Sequence, residues 1–340
     1  MVTHRVSTTS SAVGSIAADM REANSLISPS PAAVKARPLS LPDDASLDTA
    51  IELALTSCLD HFVANWPTQN GPAASEGVHQ MRVALRRLRA GAGVLKRALQ
   101  SKGLETAAAR AKQIAAKLGE ARDLDVFSEN LQTGPFARLV GEPSFYALLD
   151  AVECRRRKAH DQVRALIEQP QTRQFVNGLR ATLTKRQWTS RNVDGTVAIS
   201  ASDAPGSARR FAEQALDRLH RRAIKKCRGL AARSEEERHL ARIALKKTRY
   251  AAEFFQSLFK EEECAHAYIR GVTKIQDQLG LANDVATATR LLDEIDAADR
   301  SETAYAAGFV RGWHAHAQEF AAKGAGKSEK AMKKLEPFWR

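Results

Sequence analysis

From Leu47 almost to the C-terminus, apolar positions recur every three or four residues. That is the period of a buried helix face. Proline and glycine fall mostly where one such run stops and the next starts. The pattern predicts helices at 47–65, 76–100, 104–119, 123–131, 143–168, 171–187, 207–230, 234–260, 262–279, 284–297 and 300–322. No stretch alternates as a strand would. Residues 1–45 differ: they are rich in Ser, Ala and Pro, with four of the eleven prolines between Pro29 and Pro42, and read as a flexible leader. The predicted organisation is a leader (1–45), a helical half (46–190), a linker loop (191–207) carrying Gly195, Pro205 and Gly206, and a second helical half (208–340).

The halves carry matching segments. Val78–Ala90 aligns without a gap on Arg238–Tyr250, pairing His79 with His239, Arg82 with Arg242, Arg86 with Lys246, Arg87 with Lys247 and Arg89 with Arg249. Leu118–Leu124 aligns on Leu279–Val285 at almost the same spacing, 161 residues against 160. Two motifs at nearly one offset point to an internal duplication, which normally packs as two bundles about a pseudo-twofold axis. The fold class expected is all-α, with two four-helix-bundle-like halves.

On a helix, Val78, Met81, Leu85 and Leu88 share one arc, spaced 3, 4, 3. His79, Arg82, Arg86 and Arg89 share a second with the same spacing, centred about 100° away; Arg87 points elsewhere. The basic stripe borders the buried stripe, which is the geometry of a groove or cavity between helices. Like charges three and four apart repel, so something negative should lie against the row. The second copy repeats it as His239, Arg242, Lys246 and Arg249, with a weaker buried stripe because Arg238 and Thr248 replace Val78 and Leu88. The Leu-Gly-x-x-(Arg/Asn)-Asp motifs read first as helix ends, with Gly119 and Gly280 terminating one helix and Asp123 and Asp284 capping the next. The alternative is that each Asp holds a neighbouring cation in place.

The formal net charge is +13, and residues 1–45 contribute four cations and four anions, so the excess lies in the helices. A polyanionic partner follows. Dense clusters at Arg155–Lys158 and at Arg221, Arg222, Lys225 and Lys226 extend the basic surface. Arginine binds phosphate bidentately, and lysine acts as a mobile point charge. Four scattered cysteines without a CxxC pair argue against disulfides and zinc, and fit a reducing cytoplasm. No apolar run is long enough for a membrane span. His314 and His316, two apart, do not share a helix face, so no metal site is expected.

The chain resembles the CHAD family, the conserved histidine α-helical domain. The resemblance rests on His79-x-x-Arg82-Val83-x-x-Arg86-Arg87-Leu88-Arg89, Leu118-Gly119-x-x-Arg122-Asp123, His239-x-x-Arg242-Ile243-x-x-Lys246-Lys247-x-Arg249-Tyr250-x-x-Glu253 and Leu279-Gly280-x-x-Asn283-Asp284. One departure is Gly93, where the second copy has Glu253. The resemblance implies two helical bundles with a basic surface between them that binds inorganic polyphosphate, and a cytoplasmic protein at polyphosphate granules. The 45-residue leader is too short for the triphosphate-tunnel domain that often precedes such domains, so a stand-alone domain is expected. The expected contacts are His79, Arg82, Arg86, Arg89, His239, Arg242, Lys246 and Arg249, with Arg222, Lys225, Lys226 and Arg155 as weaker choices.

Two other function classes fit the sequence less well. A phosphohydrolase is disfavoured by the missing Arg-His-Gly motif, and Gly326-Lys327-Ser328 lacks the leading glycine and strand of a P-loop. No enzyme activity and no cofactor are expected. Nucleic acid is expected only as a non-specific polyanion, since no recognisable nucleic-acid module is present.

Overall fold

The computed structural model describes residues 31–96, 98–191, 197–198, 204, 206–296 and 300–340. The helices start where the chain supplies N-terminal partners. Helix α1 (Leu47–Ala64) is capped by Ser46, whose side chain accepts from the Thr49 amide. Helix α2 (Ala74–Leu95) follows a short 3-10 turn (Trp66–Asn70), and α3 (Lys102–Thr133) is capped by Ser101. Helices α4 (Pro143–Glu168) and α5 (Pro170–Thr184) each begin on proline, whose missing amide costs nothing in a first turn. In the second half come α6 (Ser207–Cys227), α7 (Glu235–Phe255), α8 (Glu262–Gln278), α9 (Leu281–Asp296) and α10 (Arg300–Lys333). Helix α7 starts with a full capping box between Ser234 and Glu237.

Among the described residues the protein is all-α apart from three minimal strands, β1 (Leu99–Gln100), β2 (Thr189–Arg191) and β3 (Val197–Ala198), in an antiparallel sheet of order β1-β2-β3. Runs of two or three residues carry no alternation to read, so periodicity missed them. They occupy part of the expected 191–207 linker; residues 192–196, 199–203 and 205 of it lie outside the described residues.

Element bounds recur at the sequence offset: α1 at 47–64 against α6 at 207–227, and α2 at 74–95 against α7 at 235–255. Across the halves α1 packs on α6, α2 on α7, α3 on α9 and α4 on α10. One buried apolar cluster runs through both halves, from Ile51, Leu55 and Phe62 through Met81 and Leu85 to Leu245 and Tyr268. The close approach of α2 to α7 depends on Gly91, where a Cβ would stand 3.0 Å from Leu55 and 3.3 Å from Phe254.

Three expectations are corrected. The predicted break between 119 and 123 does not exist, because α3 runs unbroken through Gly119. Neither motif aspartate is an N-cap: Asp123 lies in mid-helix, and Asp284 is in the first turn of α9, its amide bonded to the Gly280 carbonyl at 3.3 Å. The flexible leader is too long as drawn. Residues 1–30 lie outside the described residues, but 31–45 are pinned to the body. The Val34 amide donates to Asn65 at 2.9 Å, the Leu41 amide to the Ser257 hydroxyl at 2.9 Å, and Leu41 and Ala45 are buried.

Candidate functional site

The two basic rows meet where α2 lies against α7. Lys246 marks the junction: its ammonium feels Arg242 and Arg249 from its own helix and Arg82 and Arg86 from α2. Burial, then those four guanidinium groups in the order Arg242, Arg86, Arg82, Arg249, push its pKa down to about 7. The Nε groups of Arg86, Arg242 and Arg249 are buried without an acceptor. Buried donors normally find partners, and here charged donors converge on one place. His79 adjoins the row. Burial holds its pKa below the usual histidine value, and Arg122, Arg86 and Arg82 act in the same direction against Glu76. Arg122, not among the expected contacts, therefore belongs to the cluster.

Two carboxylates frame these cations. Asp123 sits 3.8 Å from Arg82 and 3.5 Å from Arg290 of α9, the second motif reading in place of the cap. Burial pushes its carboxyl up from the ordinary value, and the two arginines pull against that shift. The Arg82 guanidinium lies over Gly119, where any Cβ would run into it. Glu253, one turn beyond Arg249, pairs with it at 3.0 Å and with Arg87 of α2 at 3.8 Å. Arg87 was expected to point away. It is instead 4 % exposed and stacks over Phe254 at 5.4 Å. A helical wheel of α2 alone cannot show that α7 covers that side.

The remaining expected contacts spread outward. His239 and Arg89 are exposed, as are Arg222 and Lys225, while Lys226 is half-buried. Arg155 is committed to Glu294 of α9, pairing with its carboxylate at 3.2 Å and donating to its backbone carbonyl. Two cavities open beside the cluster, with Gly93 and Lys247 lining both. One of about 470 Å³ adds Arg89, Lys96, Lys112 and Glu105 over a floor of Leu95, Leu99 and Leu104. The other, of about 370 Å³, adds Arg218, Arg221 and Arg222. Neither Gly93 nor Lys247 was singled out as a contact; the signal available was their pairing with Glu253 and Arg87. Among the described residues no group of His, Cys, Asp and Glu could hold a metal ion, and no helix is long and apolar enough to cross a membrane.

Comparisons with known proteins agree with this architecture. The CHAD domain family model matches residues 53–293, more than two thirds of the chain. The CHAD domain of the plant Ricinus communis superposes with a TM-score of 0.73 at 24 % identity, covering 90 % of this chain and 98 % of that one. PptA from Streptomyces chartreusis superposes with a TM-score of 0.56 at 17 % identity, covering 85 % of this chain and 100 % of that one. At these identities the likeness is one of fold. No curated protein matches the sequence.

Proposed function

Because the chain belongs to the CHAD domain family, we propose that it binds inorganic polyphosphate in the groove between α2 and α7. The observation that carries this reading is Lys246 among Arg82, Arg86, Arg242 and Arg249, a cationic centre built from both halves. A row of phosphates supplies what that centre lacks: repeated negative charge at short spacing, with oxygens for the buried donors of Arg86 and Arg242. A ligand without bases needs no stacking aromatics, and aromatic residues are 6 % of the chain. The protein acts as a binding module without turnover, in the cytoplasm at polyphosphate granules. The duplication expected from the sequence explains why the rows are matched.

Calorimetric titration of long-chain polyphosphate at about 0.15 M salt tests the reading. Changing Arg82 and Arg242 together to Glu is expected to weaken binding by a hundredfold or more. Tight binding that survives would move the site to the outer cations, and tighter binding of duplex DNA than of polyphosphate would replace the ligand. Release of orthophosphate by the purified protein would overturn the non-catalytic assignment.

A further inference from the structure

Glu253 answers two cations, Arg249 of its own helix and Arg87 of the facing one. At the 160-residue offset those three residues correspond to Gly93, Arg89 and Lys247. The structure brings the second set together as it does the first, since Gly93, Arg89 and Lys247 line one cavity. What is missing is the carboxylate. Among the described residues neither Arg89 nor Lys247, both exposed, forms an ion pair, whereas Arg249 and Arg87 share the Glu253 carboxylate. The place where a side chain would be is open, for a Cβ on Gly93 meets nothing within 4 Å.

We infer that this cavity is an oxyanion subsite, in which a phosphoryl group stands between Arg89 and Lys247 where the other half has its own carboxylate. Lys96 and Lys112 add positive charge to the rim and Glu105 opposes it, leaving the polar lining cationic. A guanidinium and an ammonium approaching one anion from two helices is a strong arrangement for phosphate. The identity of the anion rests on the polyphosphate reading: a chain held by Arg82, Arg86 and Lys246 would extend past Arg89 into this cavity.

The test is to restore the missing carboxylate. Gly93→Glu places it between Arg89 and Lys247, with Gly93→Gln as the neutral control of the same shape. Helix propensity favours both over glycine, so neither should unfold the protein; Lys247→Ala offers a second route to the same affinity readout. Two quantities are measured: long-chain polyphosphate affinity, and acetylation of Lys247 by an N-hydroxysuccinimide ester with and without pyrophosphate, read by mass spectrometry. Gly93→Glu is expected to weaken polyphosphate binding about tenfold, a difference of one decade in affinity, and Gly93→Gln, which fills the same space without charge, to weaken it less. Pyrophosphate should protect Lys247 in wild type and lose that effect in Gly93→Glu. Wild-type affinity in Gly93→Glu, or no protection of Lys247 in wild type, would overturn the subsite. Protection of Lys247 without long-chain polyphosphate binding would sink the polyphosphate reading and leave the subsite standing.

Discussion

The two halves present the same cations in different states. Around Glu253 they are spent inside the protein: Arg87 is buried, Arg249 is paired, and α2 is fastened to α7. Around Gly93 their counterparts Arg89 and Lys247 face open cavities. Comparing the two regions separates the roles that one basic motif can take. A cation with a carboxylate one turn away builds the interface; without it, the same cation remains available to a ligand. Matched charge patterns therefore do not imply matched function, and the residue four places beyond the row decides.

The sharpest way to break the contrast is Glu253→Gln. It removes the charge that Arg87 and Arg249 share and leaves Arg87 buried without a counter-ion. Removing one partner of a fully buried pair costs roughly 3–5 kcal/mol. Glu253 is 22 % exposed, so solvent screening lowers the expected loss to about 2 kcal/mol. Denaturant unfolding with an unchanged slope would show it as a lower midpoint. Polyphosphate affinity should rise in the same variant, because Arg249 is released. Unchanged stability would mean that Arg87 relaxes into water and that Glu253 does not fasten the halves.

Much of this contrast was readable beforehand, and part was not. The helical period placed the core stripe and the basic stripe because both lie on one helix, where 100° per residue fixes the geometry. Lys246 and Arg242 were found that way, and Gly93 stood out against Glu253 in the alignment. Arg87 was missed because its environment is made by a different helix, 160 residues on. The Leu-Gly motif was misread for a related reason. Glycine commonly ends helices, and nothing local announces that Gly119 is small because Arg82 lies over it.

A second way to sharpen the comparison is pH, since the cluster's central titrating group lies in the second half. In the folded protein Lys246 is held near 7, against 10.5 for an ordinary lysine. Between those values the unfolded chain binds more protons, so this group adds stability as pH rises through that window and the gain is lost as pH falls towards 7. Ligand affinity should run the opposite way, because polyphosphate favours the ammonium. We expect binding to weaken up to about tenfold from pH 6 to pH 8.5, the size of a one-unit linkage, and to flatten in Lys246→Met. His79 is expected to take up its proton at lower pH than an ordinary histidine, since burial first, and then Arg122, Arg86 and Arg82 against Glu76, hold its pKa below the usual value. A slope that survives Lys246→Met and disappears in His79→Ala would reverse that assignment.

The smallest expected effect comes from the glycines under the two arginines, and it separates the halves most cleanly. Gly119 lies inside unbroken α3, so Gly119→Ala gains helix propensity worth about 1 kcal/mol. The new methyl must displace the Arg82 guanidinium, the far end of a flexible side chain. Stability should hold or rise while polyphosphate affinity falls a few-fold, because Arg82 is moved from its place beside Asp123. Gly280 sits at the break between α8 and α9, where its amide closes a turn on the Asp277 carbonyl at 2.8 Å. A Cβ there would stand 2.9 Å from that backbone oxygen and 3.7 Å from Arg242. Gly280→Ala should therefore cost stability, since backbone must shift, and leave affinity almost unchanged, since Arg242 has room. If both variants lose affinity equally, glycine serves the arginines alike in the two halves. The helix break at Leu279–Gly280 would then have no bearing on how the cationic row is held.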